Sequence, residues 1–198
     1  MNLDGYSNFR SMISYGFMIN PIKTNLNFNA GLTYSHTPSM INNLTNIANS
    51  YNANAGIVLS SNISEKIDFT LSYNAAYNLV KNTIRPQLDN TYFLHTSSLR
   101  FNWIFLNNWV LRNDMNNLLY SGMGEGFDQN YWLWNINFGK KFLKNNQAEL
   151  TLGVYDLLDQ NKSLVQNVSA SYIENVKSNV LNRFFMLTFT YNIRHFKF

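Results

Sequence analysis

Apolar residues recur at every second position along most of this chain, with polar residues between them. In the first run Ile13, Tyr15, Phe17 and Ile19 share a face. In the second, Leu26, Phe28, Ala30, Leu32 and Tyr34 oppose Asn25, Asn27, Asn29 and Thr33. Ala53, Ala55, Ile57 and Leu59 follow, then Ile67, Phe69, Leu71, Tyr73, Ala75, Tyr77 and Leu79 against Asp68, Thr70, Ser72, Asn74 and Asn78. Leu99, Phe101, Trp103 and Phe105 alternate with Ser98, Arg100 and Asn102. Trp109, Leu111 and Met115 oppose Arg112, Asp114 and Asn116 in the run whose alternation is weakest. Trp132, Trp134, Ile136 and Phe138 come next, with Asn135, Asn137 and Gly139 opposite. Leu150, Leu152 and Val154 form the eighth run; Phe185, Leu187, Phe189, Tyr191 and Ile193 form the last. A period of two is the signature of a strand with unlike faces.

About nine strands of roughly 10–15 residues result, longer than the usual 5–6 of globular strands. Asn20–Lys23, Asn62–Glu65, Leu106–Asn108 and Lys144–Gln147 read as short turns. Between them fall longer polar loops: HTPSMINNLTNIANS, Val80–Asn90 with Pro86, the glycine-rich SGMGEGFDQN, and Asn161–Asn182. Alternating short turns and long loops, with strands long enough to cross a bilayer at a tilt, are the marks of a membrane β-barrel. The expected fold is therefore all-β: an antiparallel up-and-down transmembrane β-barrel, in part. A β-sandwich rarely keeps strands this long with such regular loop alternation.

Composition agrees. Charged residues are 13% and aromatics 16% of the chain. No run approaches the ~20 apolar residues of a membrane helix. Mean hydropathy is −0.23, a soluble value by average, but alternating strands always average low. The apolar faces carry almost no charge. Phe69, Leu71, Tyr73, Phe101, Trp103, Trp134, Ile136, Phe138, Leu187, Phe189 and Tyr191 are the expected lipid-facing set. Arg100, Asn102, Arg112, Asp114, Asn116, Asn135 and Asn137 are the expected lumen-facing set. Tyr34, Tyr77, Trp103, Trp109 and Trp132 sit near strand ends, where aromatic girdles form.

Candidate chemistry is sparse. There is no cysteine, and His36, His95 and His195 lie in no ligand-spaced motif, so no cofactor or metal is expected. The net charge of +4 is scattered rather than striped, which argues against nucleic acid. Arg112 and Asp114 read as a lumen ion pair, Asp156 as a turn-capping carboxylate. GMGEGF has spaced glycines but no following lysine and no strand–helix context, so it is a loop rather than a phosphate cradle. No nucleophile–base pair or carboxylate pair stands out, and no enzyme activity is expected.

The end of the chain carries a resemblance. VYDLLDQN at Val154–Asn161, then Ser171-Tyr172-Ile173-Glu174, then NVLNRFFMLTFTY at Asn179–Tyr191 resemble the end of the outer-membrane β-barrel found in gram-negative TonB-dependent receptors. Val110–Asp114 followed by Tyr120-Ser121-Gly122 resembles an upstream strand and loop of that family. The resemblance implies location in the bacterial outer membrane and contact with its lipid. It implies a larger barrel with a plug domain, TonB as energy-coupling partner, and nutrient uptake as function. It also implies that Phe196 and Phe198 form a C-terminal signal read by the barrel-assembly machinery.

No plug, TonB-contacting segment or signal peptide is recognisable in residues 1–198. The odd strand count and a first strand starting on the long-loop side suggest the C-terminal portion of a larger barrel. Nothing in Gly5–Arg10 looks adapted to pair with the last strand, so an open or poorly closed sheet is expected. Two other functions compete: a small self-contained outer-membrane pore or structural barrel without TonB coupling, and a soluble ligand-binding β-barrel. The soluble barrel would bury the aromatic faces.

Overall fold

The computed structural model describes residues 4–122, 128–161, 164–168 and 173–193. Nine strands form one antiparallel sheet, each beside its neighbour in sequence except at the end. They are β1 (Ser7–Ile19), β2 (Thr24–Ile41), β3 (Leu44–Ser64), β4 (Ile67–Asn82), β5 (Asn90–Phe105), β6 (Trp109–Ser121), β7 (Gln129–Phe142), β8 (Ala148–Tyr155) and β11 (Phe184–Tyr191). Between β8 and β11 the chain makes a separate hairpin, β9 (Leu164–Val168) with β10 (Ile173–Lys177). The expected all-β up-and-down architecture is the observed one. The sheet is open: among the described residues, β1 pairs only with β2, and β11 only with β8.

Directly opposed residues in antiparallel strands share a face, so the register sorts the whole sheet. One row runs Asp68, Asn102, Arg112, Asn137, Gly153, Met186. The adjacent row on the other face runs Phe69, Phe101, Asn113, Ile136, Val154, Phe185. A one-residue slip anywhere would exchange the faces of a strand. Because the sheet is a single layer, it has almost no core of its own. Ala48, Val80, Val110, Tyr131 and Ala148 are its buried apolar residues, while Leu187 remains 68% exposed and Phe185 69%. A soluble barrel built around these aromatic faces would have buried them.

One expected loop is strand instead, and two others are partly strand. HTPSMINNLTNIANS continues β2 and β3, which meet at Asn42-Asn43. Both asparagines have positive φ, 50° and 64°, the condition for a two-residue hairpin turn, which asparagine tolerates best after glycine. Likewise β4 runs on to Asn82 and β5 starts at Asn90, leaving only residues 83–89 with a single 3-10 turn at Pro86–Leu88. The third expected loop, 161–182, contains the β9–β10 hairpin. Strands β2 to β5 hold 16 to 21 residues, against roughly 9–11 needed to span a bilayer. Their surplus lies at the end where the long connections are. There both faces mix polar and apolar residues, such as Ile41, Leu44, Ile47 and Val80 beside Thr37, Asn46 and Lys81, so alternation fades although the strand does not.

The turn between β3 and β4 is Glu65-Lys66, closed by the pair Ser64 and Ile67 and so two residues later than Asn62–Glu65, with a bulge between Ser61 and Ser64. Ile193 and Asn192 fall just beyond β11, although Asn192 N–H still donates to Gln147 O at 2.8 Å.

The Asn42-Asn43 turn gives a direct check. Asn43→Val places a β-branched side chain at positive φ, at a cost of about 1–2 kcal/mol. Hydrogen exchange should accelerate at the Ile41 and Leu44 amides, the pair that closes the hairpin, and stay unchanged at the far end of β3. Equal acceleration along the strand would mean that the hairpin is not locally set.

Candidate functional site

The seven polar candidates lie on one face of the sheet. Arg100 opposes Asp114, Asn102 opposes Arg112, Asp114 opposes Asn135, and Arg112 opposes Asn137. Asn116, opposite Ser98, belongs to the same face. The eleven apolar candidates all lie on the reverse face. Phe69 opposes Phe101 and Ile67 opposes Trp103; Phe138 opposes Leu152, itself opposite Leu187; Phe189 and Tyr191 follow on β11. Phe196 and Phe198 lie outside the described residues, as do Met123–Phe127 of the glycine-rich loop.

The charged part of the polar face is internally paired. Arg112 makes a two-pronged ion pair with Glu149, through Nη1 to Oε1 and Nη2 to Oε2, the latter 3.0 Å long. Thr151 Oγ1 donates to the same Glu149 at 2.9 Å. So the partner of Arg112 is Glu149 on β8, not Asp114 as the sequence suggested. Asp114 instead meets Arg100 at 3.6 Å and accepts from Asn116 Nδ2 at 2.6 Å. The missed signal is one of register: Glu149 is 37 residues away, and only the strand pairing brings it close.

Asparagine dominates the rest of this face, and glycine makes room for it. A Cβ on Gly56 would collide with the Asn74 amide and lie 2.8 Å from Asn29 Nδ2. The amides therefore lie flat over the neighbouring strand's glycine. Asn52 Nδ2 donates to Asn78 Oδ1 at 2.7 Å, and Asn54 Nδ2 to Asn52 Oδ1 at 3.0 Å. Ser72 and Ser98 hydroxyls are 2.6 Å apart. At the end of β4 the buried Asn46 donates to Asn82 at 3.0 Å. Asp89 ties the loop down, accepting from Asn82 N–H at 2.7 Å and Lys81 Nζ at 3.0 Å. The backbone bond from Asn82, then the lysine, hold its carboxyl below the ordinary carboxylate range.

On the apolar face, rings lie at mid-height in the row Tyr15, Phe28 and Tyr73, and in a band towards each end. Near the short turns, Trp103 stacks on Phe105 at 4.5 Å and Trp109 on Phe138 at 4.9 Å, with Lys140 Nζ over the Trp109 ring. Towards the long connections, Tyr34 meets Tyr51 at 5.0 Å, and His95 sits between Tyr73 and Phe93. From Trp103 to Phe93 is ten residues of β5. At ~3.4 Å per residue and a ~40° tilt the bands are roughly 25 Å apart in height, matching the apolar band of outer-membrane barrels.

Polar side chains interrupt this face between β4 and β7, and several of them are linked to one another. Tyr73 OH is 3.2 Å from His95 Nδ1, and His95 Nε2 is 3.1 Å from Asn117 Oδ1. Asn117 Nδ2 donates to Asn130 Oδ1 and Tyr131 O. Trp134 Nε1 donates to Asn113 Oδ1 at 2.6 Å. This explains the weak alternation of the sixth run. Asn113 and Asn117 stand where apolar residues are expected, and their amides are satisfied within the sheet.

The VYDLLDQN stretch closes the far end of β8. Asp156, 5% exposed, accepts from the backbone N–H of Gln160 and of Asn161, both at 3.0 Å. It is a loop-capping carboxylate. Gln160 Oε1 accepts from Trp132 N–H on β7, and Asp159 Oδ1 accepts from Arg183 N–H just before β11. The motif thus fixes where the last strand enters the sheet.

These features together are a wall: long antiparallel strands, opposed faces, two ring bands a bilayer apart. The outer membrane protein beta-barrel family matches residues 4–191. The chain belongs to that family. It is accordingly a protein of the bacterial outer membrane. Comparison with curated proteins and with solved structures gives no match.

Two outcomes follow from the side-chain pairs. Arg112→Met leaves the Glu149 carboxylate without its main partner and should cost about 1–3 kcal/mol in urea unfolding; adding Glu149→Gln should recover much of it. For Asp89 the lowered pKa means stability that is complete above the ordinary carboxylate range and lost as pH falls through the folded value. Hydrogen-exchange protection at the Asn82 amide should therefore drop in acid, and Asp89→Asn should remove that pH dependence.

Proposed function

We propose that this sheet is part of the wall of a TonB-dependent receptor for nutrient uptake. Its apolar face lies against outer-membrane lipid and its polar face lines the solute path. The observation that carries this reading is the combination of a two-faced sheet with two unpaired edges. In hydrocarbon an unpaired strand edge leaves backbone N–H and C=O groups unsatisfied, at several kcal/mol each. Further strands therefore cover β1 and β11, and the barrel they complete is wider than nine strands. A wide barrel has room for a plug, and the resemblance of the last fifty or so residues to receptor barrels supports the TonB assignment. A small self-contained pore would need β1 and β11 to pair directly, and among the described residues they do not.

Both parts can be tested. Leu71→Arg, midway between the ring bands, should destabilise the barrel in lipid vesicles by about 2–4 kcal/mol, while Ser72→Arg on the polar face should cost much less. Equal costs would contradict the assignment of faces. In the source bacterium, deleting the coding region should impair growth on a limiting nutrient, and additional loss of TonB should add nothing. A growth defect that persists unchanged and additive in a strain lacking TonB would rule out the receptor.

A further inference from the structure

The polar face is zoned by charge. On β2 to β8 its charged residues are Asp68, Arg100, Arg112, Asp114, Lys141 and Glu149, all in the half nearer the short turns. The half nearer the long connections is neutral on these strands: asparagine, serine, threonine, tyrosine and aliphatic residues such as Leu94, Leu118 and Leu133, with Tyr92, Tyr120 and Tyr131 on β5, β6 and β7. A solute arriving from the long-connection side meets amides, hydroxyls and rings before any charge.

At that rim there is a cavity of about 360 Å³, lined by Leu133, Asn135, Tyr155, Asp156, Asn161 and Phe184 among others. This lies within the roughly 300–1,000 Å³ of ligand pockets. Its floor is a ring pair: Tyr155 stacks on Phe184 at 4.8 Å with 8° between planes. Gly153 permits this, since a Cβ there would lie 2.9 Å from the Tyr155 ring. Two amides flank the rings, each half used. Asn135 Oδ1 accepts from Asp156 N–H, which leaves its NH₂ as a donor. Asn161 Nδ2 donates to Leu181 O, which leaves its carbonyl as an acceptor. The Asp156 carboxylate is occupied by the two backbone amides of its own loop. The cavity thus offers a flat apolar surface, one free amide donor and one free amide acceptor, and no free charge.

We propose that this cavity binds a neutral saccharide unit of the transported solute. A sugar ring presents an apolar C–H face to an aromatic plane, and its hydroxyls both donate and accept, which suits paired amides. An acidic ligand would meet the buried Asp156 charge with no free cation in the lining. This inference rests on the polar face being the solute path.

The test uses the full-length protein, including the strands that cover β1 and β11, folded into lipid vesicles, with protease protection and heat-dependent electrophoretic mobility establishing insertion. Maltoheptaose, mannohexaose and xylohexaose are titrated calorimetrically, with hexagalacturonate and a neutral hexapeptide as competing classes. Saturable binding of at least one neutral saccharide is expected. It should weaken tenfold or more in Leu133→Trp, which fills the cavity, and in Tyr155→Leu, which removes the platform. Ser72→Ala, outside the cavity, should bind as the unaltered chain does. Should a variant misfold, hydrogen exchange on the unaltered chain decides: the saccharide should slow the Gln160 and Asn161 amides. Tighter binding of hexagalacturonate or the hexapeptide, or no saturable saccharide binding by an inserted chain, overturns this proposal and leaves the receptor reading standing. Failure of the complete barrel, with the strands that cover β1 and β11, to insert sinks both.

Discussion

Backbone hydrogen bonding in a medium without water is the constraint on which this structure depends. Hydrocarbon offers no partner to an exposed N–H or C=O, so each strand must be paired along its whole crossing. The sheet meets that demand from β2 to β8 with one continuous antiparallel ladder. Pairing then fixes register, and register fixes faces. That is why a chain with 13% charged residues and a mean hydropathy of −0.23 can present a wholly different surface on each side. The two edges are where the same demand is unmet among the described residues, and they direct attention to additional strands rather than to a core.

Polar groups on the wrong face show how strict the demand is. His95, Asn117, Asn130 and Tyr73 form a connected chain, and Asn113 is held by the Trp134 indole. None is left bare. On the polar face the same economy works differently: Arg112 and Glu149 satisfy one another, while asparagines lie over glycines such as Gly56. The outcome is a charged lower half that is largely self-satisfied and a neutral upper half that retains unused hydrogen-bonding capacity, as at Asn135 and Asn161.

Much of the fold was legible because alternation is local. The nine strands of the sheet correspond to the nine alternating runs, and the two faces follow from counting by twos. What sequence could not supply was the consequence of long-range pairing. Glu149 as the partner of Arg112 is invisible without knowing that β6, β7 and β8 are adjacent and in what register. The extensions of β2 to β5 were hidden for another reason: beyond the apolar band both faces mix polar and apolar residues, so a strand such as Thr37–Ile41 looks like a loop. The Asn42-Asn43 pair was the readable signal of a tight hairpin there. The rim cavity was missed because Tyr155 and Phe184 belong to strands separated by the 161–182 segment, and their stacking appears only once β11 pairs with β8.

Cysteine scanning along β4 tests the assignment of faces most directly, and the chain has no native cysteine to interfere. Single cysteines from Ile67 to Leu79 would carry a nitroxide, in bilayers, with collision rates measured against lipid-soluble oxygen and a water-soluble nickel complex. Oxygen accessibility should peak at Phe69, Leu71, Tyr73 and Ala75, and nickel accessibility at Thr70, Ser72 and Asn74, in a strict period of two. The opposite phase, or no periodicity, would contradict a wall with lipid on its apolar face.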